Sequence, residues 1–217
     1  MAKNHKMKQG LKILLGTRRV LLTVLSFVIC SFSISFAYGQ SASTVLDKTA
    51  AVIANKSGAS ASFTIKGGNL STSGTIAIKG KKFHATTPQA TIWFDGKTQW
   101  TYMKKNNEVN VANPTDAELT AINPYNFIYM YKNGYEYTMT KKGQNYEVHL
   151  TTKEKKSISE MYIVVNTKTY IPTQIRMKQQ KGWSTIDIRN FKKSSLSDSA
   201  FRFNAKDFPT AEVIDLR

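Results

Sequence analysis

The chain has 217 residues, 41% of them hydrophobic, and carries 31 Lys and Arg against 14 Asp and Glu, a formal net charge of +17. That length suits a leader followed by one domain with a sizeable core. The single cysteine, Cys30, lies in the leader, which excludes a disulfide framework and thiolate chemistry from the domain that follows.

Lys3, Lys6, Lys8, Lys12, Arg18 and Arg19 form a basic start with no acid, and Val20 to Phe36 is apolar. Ala37-Tyr38-Gly39 then places small residues at the −3 and −1 positions of a cut before Gln40, the pattern of a secretory signal peptide over residues 1–39. A retained membrane anchor is the competing reading, since the apolar run is almost long enough to span a bilayer. Lipidation at Cys30 is disfavoured by the bulky Val28-Ile29 before it. Without the leader, 25 basic side chains face 14 acidic ones, a net +11. In an exported protein this favours anionic membrane surfaces, acidic glycolipids or an acidic partner protein over nucleic acid. A solvated surface with no specific partner is the bland alternative.

From Ser43 to Lys56 the spacing of Val45, Leu46, Val52 and Ile53 predicts an amphipathic helix, capped by Ser43 and stopped before Gly58. Strands follow. Ala61, Phe63 and Ile65 alternate with polar residues, Gly67-Gly68-Asn69 turns the chain, and Ile76, Ile78 and Phe83 to Ala85 continue the pattern. Thr91 to Phe94 and Gln99 to Met103 flank Asp95-Gly96, a hairpin signal crowded by Trp93, Phe94, Trp100 and Tyr102. Glu108 to Val111 closes this first half.

Pro114-Thr115-Asp116 interrupts the strands. Ala117 to Ile122 reads as a short helix capped by Thr115 or Asp116, and Tyr125 to Tyr131 as a second, ended by Asn133-Gly134. Leu119, Ile122, Phe127, Ile128 and Met130 make this insert apolar around most of its circumference, so more than one side needs cover. Seven further strands are predicted: Glu136 to Met139, Tyr146 to Leu150, Met161 to Asn166, Ile171 to Lys178, Ser184 to Phe191, Phe201 to Phe203 and Val213 to Leu216. With the shortest of these segments counted together with their neighbours, about ten or eleven antiparallel strands are expected in residues 40–217, a single domain, and they must curl or close to protect their edges. The expected fold is mainly β, an incomplete antiparallel barrel with a helical lid over an apolar cavity.

No G-x-S-x-G elbow, phosphate-binding loop or dinucleotide fingerprint occurs. His84 and His149, the only histidines after the leader, have no ligand-spaced partner, so no metal and no cofactor is expected. Nothing in the sequence suggests paired catalytic carboxylates, and the expectation is a protein that is not an enzyme.

The order helix, ASASFTI, GTIAIKGKKFHA, WFDGKTQWTYMKKNNEVNV and a closing FRFNAKDFPTAEVIDLR resembles the LolA-type periplasmic lipoprotein carriers. The resemblance implies lipoprotein acyl chains as cargo, held by Phe63, Ile65, Ile76, Ile78, Phe83, Ile92, Phe94 and Trp100. It implies a lid drawn from Val45, Leu46, Ile53, Leu119, Ile122, Phe127, Ile128 and Met130. It also implies a periplasmic monomer that takes lipoproteins from an inner-membrane export complex to an outer-membrane acceptor. A carrier of another lipid or glycolipid, or a lipoprotein-sensing regulatory domain, are the alternatives. Where the family often has a lid-latching Arg, this chain has Lys79-Gly80-Lys81-Lys82. Lys81 is the candidate latch, although a point-like ammonium cannot reproduce the fork of a guanidinium.

Overall fold

The computed structural model describes residues 40–68, 70–115, 118–119 and 130–217. The expected leader therefore lies outside the described residues, as do the lid positions Ile122, Phe127 and Ile128. Helix α1 spans Ala42–Ile53. The first strands are β1 (Ala59–Gly67), β2 (Leu70–Lys79), β3 (Lys82–Thr86), β4 (Ala90–Phe94), β5 (Gln99–Met103) and β6 (Glu108–Ala112). After the insert come β7 (Glu136–Lys142), β8 (Asn145–Thr151), β9 (Ile158–Asn166), β10 (Pro172–Gln179), β11 (Gly182–Lys193) and β12 (Glu212–Asp215).

These twelve strands form one open sheet in the order β12-β6-β5-β4-β3-β2-β1-β11-β10-β9-β8-β7. Two antiparallel meanders, β1 to β6 and β7 to β11, join where β1 pairs with β11. The sheet curls without closing, and β12 is its one parallel addition, beside β6. β6 and β7 lie towards opposite edges, so residues 113–135 link one side of the sheet to the other.

Local chemistry accounts for the joints. In the β4–β5 turn, Asp95 Oδ1 accepts the backbone N–H groups of Lys97 (3.0 Å) and Thr98 (2.9 Å), while Gly96 takes φ = +102°. α1 begins earlier than the spacing predicts. Ser41, not Ser43, is its N-cap and accepts the Thr44 N–H at 3.2 Å. At the start of the insert Thr115 and Glu118 form a reciprocal capping box, with the Glu118 carboxylate accepting the Thr115 N–H at 2.8 Å.

One predicted strand is corrected. Phe201 to Phe203 is not extended in a ladder, because Asp198–Phe201 is a 3-10 turn that buries Phe201 completely. The following segment lies on the outer face of the first meander. Phe203 and Phe208 set their rings 5.7 and 5.6 Å from Trp93, and Phe208 lies 4.6 Å from Tyr102. Arg202 pins the segment to the β4–β5 turn through Asp95 (3.0 Å). Asp198 bridges Lys79 (3.0 Å) and Lys82 (2.8 Å), which hold its carboxyl down at about 2.

α1 lies across the inner face and joins two core clusters. Its first half, with Val45 and Leu46, packs with Val148, Leu150, Met161 and Ile163 of β8 and β9. Its second half, with Ala50 and Ile53, packs with Ile78, Phe83 and Phe94.

Candidate functional site, an apolar cavity under the helix

Between the two clusters the inner face encloses a cavity of about 430 Å³. That volume falls in the range of small-molecule pockets. β1 contributes Phe63 and Ile65 and β2 contributes Ile76 and Ile78, in each case alternate residues, because successive side chains of a strand point to opposite faces. β3 adds Phe83, β4 adds Ile92, and Ile53 at the end of α1 covers the cavity from the helix side. From the second meander come Ile175 and Met177 of β10 and Ile186 and Ile188 of β11. The few polar lining residues include Thr87, Gln179 and Ser184, beside the strand ends. With almost no hydrogen-bonding groups inside, the cavity offers an occupant dispersion and desolvation but no polar recognition.

Six of the eight expected lipid-contacting residues line this cavity: Phe63, Ile65, Ile76, Ile78, Phe83 and Ile92. Two do not. Phe94 is buried in the cluster with Ile53 and Phe83 and does not reach the cavity. Trp100 stands opposite Trp93 in the β4–β5 ladder, and that places it on the outer face, where the C-terminal segment packs. The sequence reading also missed the contribution of β10 and β11. The alternation Ile175, Met177 and Ile186, Ile188 is the same signal that marks β1 and β2. Phe191 is harder to find. A register shift opposite Ser60 and Ser62, with Asn190 at φ = +53°, turns it onto the inner face.

The expected lid residues also divide. Val45 and Leu46 are wholly buried in the first core cluster and do not line the cavity. Ile53 touches the cavity, and Leu119 packs beside it against the second cluster. Met130 is buried in the first cluster, together with Tyr131. The two described ends of the insert thus lie against the inner face, one at each cluster. Lys81 does not line the cavity. It is exposed on the β2–β3 turn, in a separate concavity shared with Lys56, Lys79, Lys82 and Asp198.

A polar clip ties α1 to the end of the insert. The Tyr131 hydroxyl donates to the Asp47 carboxylate, and Lys132 pairs with the same carboxylate at 3.1 Å. The hydrogen bond from Tyr131, and then the Lys132 ammonium, hold the Asp47 carboxyl below its usual range. A lowered folded-state value means that the clip's contribution is complete above the unfolded carboxylate pKa of about 4 and is lost as pH falls through the folded value. Tyr131→Phe is therefore expected to lower Tm by about 2–4 °C at neutral pH. That gap should shrink in acid, below about pH 4. Thermal unfolding at the two pH values checks this; an undiminished gap in acid would remove the carboxylate's charge from the account.

Among the described residues, no group of three or more His, Cys, Asp or Glu side chains could hold a metal ion. His84 stacks on Trp93 at 5.3 Å, and burial lowers its pKa. His149 stacks on Tyr162 at 4.2 Å and meets Glu160 at 2.9 Å. Both imidazoles belong to the outer face and neither lines the cavity.

In geometry this is a cup, a curled sheet partly covered on its hollow side by a helix and lined with hydrocarbon. Residues 33–181 match the family described as outer membrane lipoprotein carrier protein LolA, and the chain belongs to that family. No curated protein matches it. Among solved structures, an uncharacterised conserved protein from Thermus thermophilus superposes with a TM-score of 0.57 at 12% identity, over 81% of this chain and 99% of that one. A LolA superfamily protein from Nitrosomonas europaea gives a TM-score of 0.43 at 12% identity, over 76% and 99% of the two chains. The Mycobacterium tuberculosis lipoprotein LppX gives 0.42 at 8%, over 72% and 99%. The Thermus likeness establishes a shared fold.

Proposed function

We propose that the protein is a carrier that holds the acyl chains of lipoproteins in its apolar cavity and shuttles them from the inner to the outer membrane. It is exported by a cleaved leader over residues 1–39 and works as a monomer in the periplasm. Its partners are an inner-membrane lipoprotein export complex and an outer-membrane acceptor, and it catalyses no covalent step. The cavity itself carries this reading. It is lined by alternate apolar residues of six strands, and it lies under a helix end in a chain of the lipoprotein-carrier family.

The energetics suit a shuttle. Transfer of an acyl chain from water into the cavity is favourable by about 0.8 kcal/mol per CH₂. A bilayer offers nearly the same gain, so the cavity can accept a chain and give it up again without a large net cost. An empty cavity must also be hidden, because large exposed apolar patches promote association. Ile53 and Leu119 provide part of that cover.

Mass spectrometry of protein recovered from the periplasm is expected to show bound lipoprotein, and depletion of the protein to strand lipoproteins in the inner membrane. A glycolipid or free lipid as the sole bound species, with lipoprotein sorting unchanged on depletion, would replace lipoprotein as the cargo.

A further inference from the structure

A carrier that takes acyl chains at one membrane and releases them at another works close to bilayer surfaces. The cavity lining reaches the β10–β11 hairpin through Met177, Gln179 and Ser184. On the opposite face of the same hairpin, Trp183 is 37% exposed. Its ring lies 5.2 Å from the Arg176 guanidinium, 6.0 Å from Lys178 Nζ and 5.9 Å from the Tyr162 ring. Arg176 also lies over Tyr162, at 5.3 Å. Lys181 is exposed in the turn, which Gly182 closes at φ = +112°. The acid in contact with this group is Glu160, which accepts from Tyr162 (3.1 Å) and meets His149 at 2.9 Å and Lys178 at 3.9 Å.

The first meander carries a matching arrangement on the same outer face. There the stacked pair His84–Trp93 is covered by the Phe203 and Phe208 rings of the C-terminal segment. Among the described residues, no segment covers the corresponding pair His149–Tyr162 or Trp183 in that way. Tryptophan flanked by Arg and Lys is the composition of a surface that lies at lipid headgroup depth: the indole is apolar with one polar N–H, and the cations reach phosphates from apolar stems. A protein partner is expected to bring a pocketed, charge-depleted centre. A bilayer needs none, and this hairpin has a narrow tip with a basic rim.

We propose that the β10–β11 hairpin docks on an anionic bilayer, with Trp183 at headgroup level and Arg176, Lys178 and Lys181 on the phosphates. Docking there sets one end of the cavity against the membrane. The inference rests on the cavity holding an acyl chain, and the experiment separates the two. The protein is floated with phosphatidylcholine vesicles with and without phosphatidylglycerol, some bearing brominated acyl chains that quench tryptophan. Uptake of parinaric acid is measured alongside.

The protein is expected to float with the anionic vesicles alone, and less as salt rises. Lys178→Glu combined with Lys181→Glu is expected to weaken vesicle binding by about tenfold or more, with parinarate uptake and circular dichroism unchanged. Trp183→Phe should remove most of the quenching, since Trp93 lies under the C-terminal segment and Trp100 stands beside it. If parinarate binds but the protein does not float, or if quenching survives in Trp183→Phe, membrane docking at this hairpin is overturned and an acidic protein becomes the partner to seek. If parinarate does not bind, the acyl-chain reading falls first and takes this inference with it.

Discussion

Ala61→Trp is expected to weaken acyl-chain binding about a hundredfold and leave the protein folded. Ala61 lies in β1 opposite Ile76, with its side chain on the cavity lining. An indole there enters empty space rather than a packed core, so the overpacking cost of small-to-large substitutions does not apply in full. It takes the place of roughly four methylene groups of cargo, worth about 3 kcal/mol in transfer free energy. That corresponds to a loss of affinity of about a hundredfold. Added apolar burial should keep Tm level or raise it slightly. Titration with a fluorescent fatty acid, together with a melting curve, tests both halves. Unchanged affinity in a folded Ala61→Trp protein would show that the cavity is not where the chain lies.

Gly74→Val is expected to damage the fold itself. Gly74 is in β2, paired with Phe63 of β1. A Cβ built on it would lie 2.1 Å from the Thr86 carbonyl oxygen and 2.8 Å from Phe63 Cζ. The first of these neighbours is backbone of β3, which has no rotamer with which to retreat. Here the missing side chain lets the neighbouring strand and the Phe63 ring close in, a use of glycine typical of bends and close approaches in sheets. Forcing β3 away is expected to cost about 3 kcal/mol or more. For a domain of this size that lowers Tm by about 6–12 °C. Even Gly74→Ala should be clearly destabilised, because the first added atom already meets the carbonyl. A Gly74→Ala melting curve within about 2 °C of the parent would sink the argument.

Much of the fold was legible from alternation alone. Eleven of the twelve strands overlap segments whose apolar residues recur every second position, and β12 was found as well, although not its parallel pairing with β6. Pairing partners are set by which strands meet when the sheet curls, and a four-residue strand carries no mark of its direction. Phe201 to Phe203 misled because three residues rich in phenylalanine have the composition of a strand, whereas their rings serve the core and Trp93. The cavity was half legible. Phe63, Ile65, Ile76, Ile78, Phe83 and Ile92 follow from period two, but Phe94 and Trp100 are as apolar and lie elsewhere.

Residue order alone determined that this chain builds long antiparallel ladders with one greasy face, because side chains two apart must share a side. Its hairpin tips and its basic surplus are written there in the same local way. Only the tertiary structure decided which apolar residues surround empty volume and which fill it. That depends on how far the sheet curls, on α1 lying across two clusters, and on the shift at Asn190 that turns Phe191 inward. A cavity is a place where packing stops short, and that is a property of several elements together, never of one segment's pattern.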